Sequence, residues 1–191
     1  VLFRSKFKFK PYMLLISLMG GVTYYLQEHK NTKFTNPLIL LSAGITAIHK
    51  NDNQRLEDTV KHIKYKRNIA TNEGITLLIA AVIKDNKEGV KILLDNGADI
   101  NFRNKNGETA LMFSSVSNIK TTVFLLKQKE IDINIEDNGG NNFMHYLTIN
   151  KNPKIINKLK TIEKYKKLMN KKNHQGMSPL NLQIQNLKLG K

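Results

Sequence analysis

The chain has 191 residues, 40% of them apolar and 24% charged, which suffices for one folded body and excludes a disordered or collagen-like chain. It contains no cysteine, which excludes disulfides and thiolate metal sites. Its formal net charge of +16 is carried almost entirely by lysine and favours acidic proteins, anionic membranes or nucleic acid as partners. A coding sequence rich in A and T is an equally weighted explanation for so many lysines.

The first 30 residues form a basic and then apolar segment. Four cations lie near its start: Arg4, Lys6, Lys8 and Lys10. They precede a nearly uncharged stretch over residues 11–26, a pattern typical of a secretory signal or a signal anchor, although a comfortable membrane span needs roughly 20 residues. The stretch lacks a polar face, which favours export or anchoring over the alternative of a capping helix. We therefore predict a periplasmic or inner-membrane-anchored protein, with a cytoplasmic one as the alternative.

Residues 36–66 predict a first pair of helices. Asn36 and Pro37 favour a helix start, because proline is tolerated in the first helical turn. A second helix from about residue 52 to residue 66 places Leu56 and Val60 on one face. This pair is a weaker version of the units that follow.

A period of 33 residues governs the centre of the chain. Gly74, Gly107 and Gly140 are separated by 33 residues each. The tripeptide Asp-Ile-Asn recurs at the same offset, at Asp99–Asn101 and Asp132–Asn134. Because several independent pairs share one offset, the sequence indicates a solenoid of repeated units.

Each unit consists of a turn and two helices. In the unit that starts at Gly74, Thr76 caps a first helix of small and aliphatic residues. Asp85–Asn86 ends that helix, and a second helix runs to Asn96–Gly97, where glycine suits the position after a helix. The apolar faces of such a pair are too large to leave exposed, so neighbouring units must cover them.

The links between units resemble the ankyrin repeat. Residues 95–101 read Asp-Asn-Gly-Ala-Asp-Ile-Asn and residues 106–111 read Asn-Gly-Glu-Thr-Ala-Leu. The family pattern is Gly-Ala-Asp-Val-Asn, then Asp-Gly-x-Thr-Pro-Leu-His. Residues 176–181 are a further variant, and His145 occupies the family's histidine position, which implies a structural role in bonding the neighbouring turn.

This resemblance implies an all-α solenoid of helix-turn-helix units joined by hairpin-like loops. The implied repeats cover about 35–70, 71–104, 105–137 and 138–173, with a partial repeat over 174–191. It also implies that partners contact the loop tips and the outward side of the first helices. The candidate residues are Asn72, Glu73, Ile75, Lys84, Phe102, Arg103, Lys105, Asn106, Glu108, Ser117, Ile135, Glu136, Asn138 and Asn141. Phe102 and Arg103 stand out, because an aromatic residue beside an arginine suits a binding hot spot.

The stretch after Pro153 is the most basic part of the chain. Gly140 and Gly176 are 36 residues apart, and we predict that a lengthened second helix over 153–169 absorbs the three extra residues. Six apolar residues predict its inward face: Ile155, Ile156, Leu159, Ile162, Leu168 and Met169. Eight lysines cover the remainder: Lys154, Lys158, Lys160, Lys164, Lys166, Lys167, Lys171 and Lys172. They form either an ordinary solvated face or a patch that attracts an acidic partner.

The sequence carries no catalytic constellation. Its five histidines lack metal-ligand spacing, and it has no phosphate loop or nucleophile elbow. We therefore predict a non-enzymatic module, without cofactor or metal, that binds another protein with an acidic surface. It is similar to small bacterial ankyrin proteins that act as immunity or accessory partners and mask a secreted effector. The alternatives are a host-targeted ankyrin effector, or a binder of nucleic acid or anionic membrane through residues 154–172. Nucleic acid is less favoured because arginine and aromatic residues are sparse.

Overall fold

The described part of the chain is built from short helices that follow one another in pairs. The computed structural model describes residues 37–62, 68–149, 153–159 and 161–189. The described residues contain ten helices: α1 (Pro37–Lys50), α2 (Asn53–His62), α3 (Leu77–Ile83), α4 (Lys87–Asp95), α5 (Ala110–Ser117), α6 (Ile119–Leu126), α7 (Phe143–Leu147), α8 (Pro153–Leu159), α9 (Glu163–Asn170) and α10 (Pro179–Leu189). The predicted N-terminal segment, with its apolar stretch over 11–26, lies outside the described residues.

The helices are stacked in two rows. The first row consists of α1, α3, α5, α7 and α10, and each of these helices packs against the next. In the second row α2 packs against α4, α6 packs against α5, and α9 packs against α7 and α10. The predicted all-α solenoid of helix-turn-helix units is therefore confirmed.

Local signals set the helix boundaries. Thr76 caps α3, since its hydroxyl oxygen accepts the backbone N–H three residues on at 3.2 Å. The helix ends before Asp85, whose φ is 54°. Asn86 caps α4 in the same way at 2.8 Å, and its side-chain amide donates to Asn53 Oδ1 at 2.9 Å. Because Asn53 opens α2, this capping residue also joins two consecutive units.

The first-row helices carry most of the core. Every residue of α3 from Leu77 to Val82 and every residue of α7 is buried. Two hydroxyls are buried in α5, at Ser114 and Ser115, and both donate to the Leu111 carbonyl, at 2.9 and 2.7 Å. Bonding of these hydroxyls within their own helix removes the cost of leaving them unpaired in an apolar layer.

The three-residue insertion breaks the second helix instead of lengthening it. The prediction of one helix over 153–169 was wrong, because α8 ends at Leu159 and α9 begins at Glu163. Between them Ile162 has extended backbone (φ −92°, ψ 122°) and a side chain that is 40% exposed. The break shifts the helical phase, so Tyr165 is buried and Ile162 leaves the inward face on which it was predicted.

Candidate partner-binding surface

Four loop tips share one hydrogen-bonded turn, over residues 71–75, 104–108, 137–141 and 173–177. In these tips the N–H of the first residue donates to the carbonyl of the last at 3.0, 3.0, 2.9 and 2.9 Å. Asp137 Oδ1 accepts two backbone N–H groups inside its turn, from Gly139 and Asn141, both at 2.8 Å. Asn104 and Asn173 make the equivalent two bonds. These side chains fix the backbone of the last three tips, and in the first tip Thr71 Oγ1 accepts one bond, from the Ile75 N–H at 3.1 Å.

Consecutive tips are also bonded to each other. Three backbone N–H groups donate to a carbonyl of the preceding tip: Lys105 to Glu73 at 3.3 Å, Asn138 to Asn106 at 2.8 Å, and His174 to Gly139 at 2.9 Å. Asn138 adds a bond from its side-chain amide to the Lys105 carbonyl at 2.8 Å. The four tips therefore form one continuous surface, which we call the tip ridge.

The close approach of two tips depends on a glycine at position 107. Gly107 has a φ of 79°, in the left-handed region that favours glycine. A Cβ there would lie 2.7 Å from Arg103 Nη2 and 2.9 Å from the Asn138 backbone nitrogen. Gly176 has a similar φ of 73°, but a Cβ there would meet none of the described residues within 4 Å. At Gly107 a side chain would therefore meet both an unfavourable φ and crowding by the next tip. At Gly176 it would meet the unfavourable φ alone.

The structure brings most of the predicted contact residues to the tip ridge. The exposed ones are Asn72, Glu73, Arg103, Lys105, Asn106, Asn138 and, at the end of α5, Ser117. The half-buried ones are Lys84, Phe102, Glu108, Ile135, Glu136 and Asn141. Ile75 is a correction: it is 3% exposed and belongs to the hydrophobic core, because it turns inward beneath its tip. Its side chain is therefore not on the accessible surface.

Phe102 and Arg103 have structural contacts that the sequence did not predict. Arg103 donates from Nη2 to the Glu136 carbonyl at 3.0 Å, and from Nε to the Gly107 carbonyl at 3.4 Å. Phe102 is half-buried and packs against the core. Since Glu136 lies 33 residues ahead in the sequence, Arg103 ties one unit to the next. Glu136 in turn pairs through its carboxylate with Lys171, at 2.7 Å.

A buried phenol beneath the tip ridge was missed by the sequence analysis. Tyr146, 3% exposed, donates to Asp137 Oδ2 at 2.7 Å and lies 3.2 Å from Glu108 Oε1. Burial, and then the charge of Glu108, raise the pKa of Tyr146, so the phenol keeps its proton. Amide groups bond the same carboxylates, Asn104 to Glu108 at 2.8 Å and Asn141 to Asp137 at 3.0 Å. The network joins two consecutive tips from below.

His145 joins α7 to the last tip. Its side chain is fully buried, at 0% exposure. The Asn142 N–H donates to Nδ1 at 3.1 Å, so the ring proton lies on Nε2, which donates to the Met177 carbonyl at 3.0 Å. This confirms the predicted structural role. Burial is the main cause that lowers the pKa of His145, which keeps the ring neutral.

The free energy of unfolding is expected to decrease as the pH is lowered from about 7.5 to about 5.5. The pKa of His145 is lower in the folded chain than in the unfolded one, so below the unfolded value of about 6.5 only the unfolded chain gains a proton. His49 acts in the same direction, because burial and then the charge of Lys84 lower its pKa. His145 contributes a slope of at most about 1.4 kcal/mol per pH unit, and the half-buried His49 contributes less. Urea unfolding at the two pH values measures the effect, and equal stabilities would contradict it.

The positive charge is concentrated in the two end parts of the chain. Residues 1–67 contain twelve lysines and arginines against four carboxylates. Residues 68–137 contain eight lysines and arginines against ten carboxylates. Residues 138–191 contain eleven lysines against one carboxylate, Glu163. The first three tips therefore lie in a part of the chain that is close to neutral, and an acidic surface would be attracted by the parts before and after it.

The part of the chain that the structure describes holds no group of three or more histidine and acidic side chains able to bind a metal ion. Within the same residues, no helix combines the length and the apolar composition needed to cross a bilayer.

The family comparison agrees with the geometry of the stacked units. The family model for ankyrin repeats matches residues 45–137 and 97–173, with three copies. The two matches together cover more than half of the chain. Ankyrin repeats form a non-enzymatic fold that serves interactions between proteins. The chain therefore belongs to the ankyrin-repeat family and is a protein–protein interaction module.

Proposed function

We propose that the chain binds a protein partner through the tip ridge and through Lys84 and Ser117, at the C-terminal ends of α3 and α5. The observation that carries this proposal is the continuity of the ridge, in which backbone bonds hold consecutive tips while side chains such as Asn72, Lys105 and Asn106 stay exposed. A ridge fixed before binding loses little conformational entropy when a partner docks.

The proposed partner carries acidic groups next to its contact with the tip ridge. Support comes from the charge of residues 138–191, whose eleven lysines would attract such groups, whereas residues 68–137 carry slightly more carboxylates than cations. The first three tips expose asparagines at positions 72, 106 and 138, which suit hydrogen bonds to a polar surface. Recognition would thus combine polar contacts at the tips with attraction at one end.

The narrower proposal is that the partner is a secreted effector which this chain masks, as an immunity or accessory protein. Its support is the basic and then apolar sequence of residues 1–30, which suits export or anchoring beside such an effector. A host-targeted effector is the second candidate for the same binding surface. Cell fractionation separates the two, because an anchored chain sediments with the membranes of its own cell and a delivered one is recovered from host cytosol.

Affinity capture with the full chain tests the proposal, using the proteins encoded beside its gene at modest salt. We expect one stable partner. The double variant Asn72→Ala/Lys105→Ala should then weaken binding at least tenfold, as expected for truncation of central interface residues. The matched control is Lys91→Ala/Asn157→Ala, which removes one lysine and one asparagine that are exposed on α4 and α8, away from the tip ridge in sequence. Failure to capture a partner, or equal losses for both variants, would contradict the proposal.

A further inference from the structure

We propose that the exposed side of α8 and α9 binds the surface of an anionic phospholipid bilayer. This side, which we call the basic face, consists of Lys158, Lys164, Lys166, Lys167, Lys171 and Lys172, all exposed. The proposal goes beyond the proposed protein-binding function and does not rest on it, because the basic face belongs to α8, α9 and the two residues that follow α9, and not to the tip ridge.

Most of the charge on the basic face is not neutralised by neighbouring carboxylates. Lys171 pairs with Glu136 at 2.7 Å, and Lys166 pairs with Glu163 at 3.7 Å in a largely exposed contact. Among the described residues, the other four lysines have no carboxylate oxygen within 4.0 Å. Clusters of four to eight lysines attract anionic lipids at about 1 kcal/mol per lysine. The basic face reaches this range even when both paired lysines are left out.

The packing of α9 determines how such a face can meet a bilayer. The apolar residues Tyr165, Leu168 and Met169 are buried, and α9 packs against α7 and α10. Lys164 Nζ lies 4.7 Å from the centre of the Tyr165 ring, so one lysine is held at the border of the buried side. Since its apolar side is already covered, α9 would lie on the headgroups without inserting. Binding would therefore be electrostatic and reversible.

One apolar side chain stands among these lysines. Ile162 lies in the turn between α8 and α9, and its side chain is 40% exposed. An isolated isoleucine next to a cationic cluster can enter the headgroup region, where burial of apolar surface adds to the electrostatic attraction. The interruption between α8 and α9, which leaves Ile162 outside the core, thus supplies the basic face with an apolar contact.

A bilayer suits the basic face better than the other polyanions do. Single-stranded nucleic acid is bound through exposed aromatic rings, but the one aromatic side chain of α9, Tyr165, is buried against Phe143 at a ring distance of 5.9 Å. Base recognition relies strongly on arginine, which the basic face lacks. Specific protein interfaces centre on aromatic and arginine anchors and are depleted in lysine. A lipid surface requires none of these groups.

Vesicle sedimentation with the full chain tests the proposal. The probe is a vesicle of phosphatidylcholine containing about one-third phosphatidylglycerol, at modest salt. Lys164→Gln/Lys167→Gln should weaken partitioning roughly thirtyfold, since about 1 kcal/mol corresponds to roughly fivefold for each lysine. The matched control Lys87→Gln/Lys91→Gln removes the same charge from the exposed side of α4 and should weaken it less than about threefold. Both variants keep residues 1–30 and should unfold at the temperature of the parent chain.

Three results would overturn the proposal. One is an equal loss of vesicle binding for the two variants, because the effect would then follow net charge and not the basic face. Another is unchanged vesicle binding by Lys164→Gln/Lys167→Gln. The last is binding to a single-stranded oligonucleotide or an acidic peptide that depends on these lysines while vesicle binding does not. A lower affinity of Ile162→Ser for the same vesicles at high salt, where charges are screened, would support the apolar contact.

Discussion

Replacing His145 with alanine is expected to lower the free energy of unfolding by about 3–4 kcal/mol. The imidazole is fully buried and bonded on both ring nitrogens, to the Asn142 N–H and the Met177 carbonyl. Alanine leaves both backbone groups without a partner and leaves a cavity in the layer between α7 and the last tip. Urea denaturation of the parent and the variant at one neutral pH measures the difference.

His174→Ala is the matched control for this variant. His174 is exposed, and its N–H bond to the preceding tip belongs to the backbone, which the substitution leaves in place. The free energy of unfolding of His174→Ala should therefore lie within about 0.5 kcal/mol of that of the parent chain. A loss below about 1 kcal/mol for His145→Ala would contradict the role given to the ring. His145→Ala should also reduce the pH dependence of stability, leaving the part contributed by His49.

Gly107→Ala is expected to cost about 3 kcal/mol, and Gly176→Ala only about 1 kcal/mol. Both substitutions place an alanine at a positive φ, of 79° and 73°. At Gly107 the new methyl group would also lie 2.9 Å from the Asn138 backbone nitrogen. This nitrogen cannot move away without breaking the hydrogen bond from the Asn138 N–H to the Asn106 carbonyl. The difference between the two losses therefore measures how tightly consecutive tips are packed.

Urea denaturation gives both values, and Gly176→Ala serves as the control for backbone strain. Amide hydrogen exchange adds a local measurement, because Gly107→Ala should speed exchange at the Asn138 N–H. Equal losses for the two variants would show that crowding between tips is unimportant. In that case the tip ridge would consist of independent loops, and its proposed rigidity would not hold.

The sequence predicted the parts of the fold that short-range patterns encode. The period from Gly74 to Gly107 gave the unit, and Pro37, Thr76 and Asp85–Asn86 marked helix ends that the structure reproduces. These signals are readable because capping and helix breaking involve residues only a few positions apart. The family match then confirmed the ankyrin interpretation.

The candidate surface was only partly predictable. Tyr146 continues the apolar pattern of α7, and its acceptors lie 9 and 38 residues away, so no local pattern reveals the network. Arg103 bonds a backbone carbonyl 33 residues ahead, and a carbonyl has no sequence signature. Ile162 was misplaced because three extra residues fit either a longer helix or a break, and the packing of Tyr165 decides between them.

The uneven charge gives residues 68–191 an electrical dipole. Residues 138–191 form its positive pole, and residues 68–137 are slightly negative. A negatively charged surface would exert a torque on this part of the chain before any contact forms, turning the C-terminal pole toward it, and would also attract residues 1–67, whose net charge is +8. Added salt should therefore slow the encounter more than it speeds dissociation, since screening acts over about 10 Å at 0.1 M. This orientation would favour encounters in which residues 138–191 reach the negatively charged surface before residues 68–137 do.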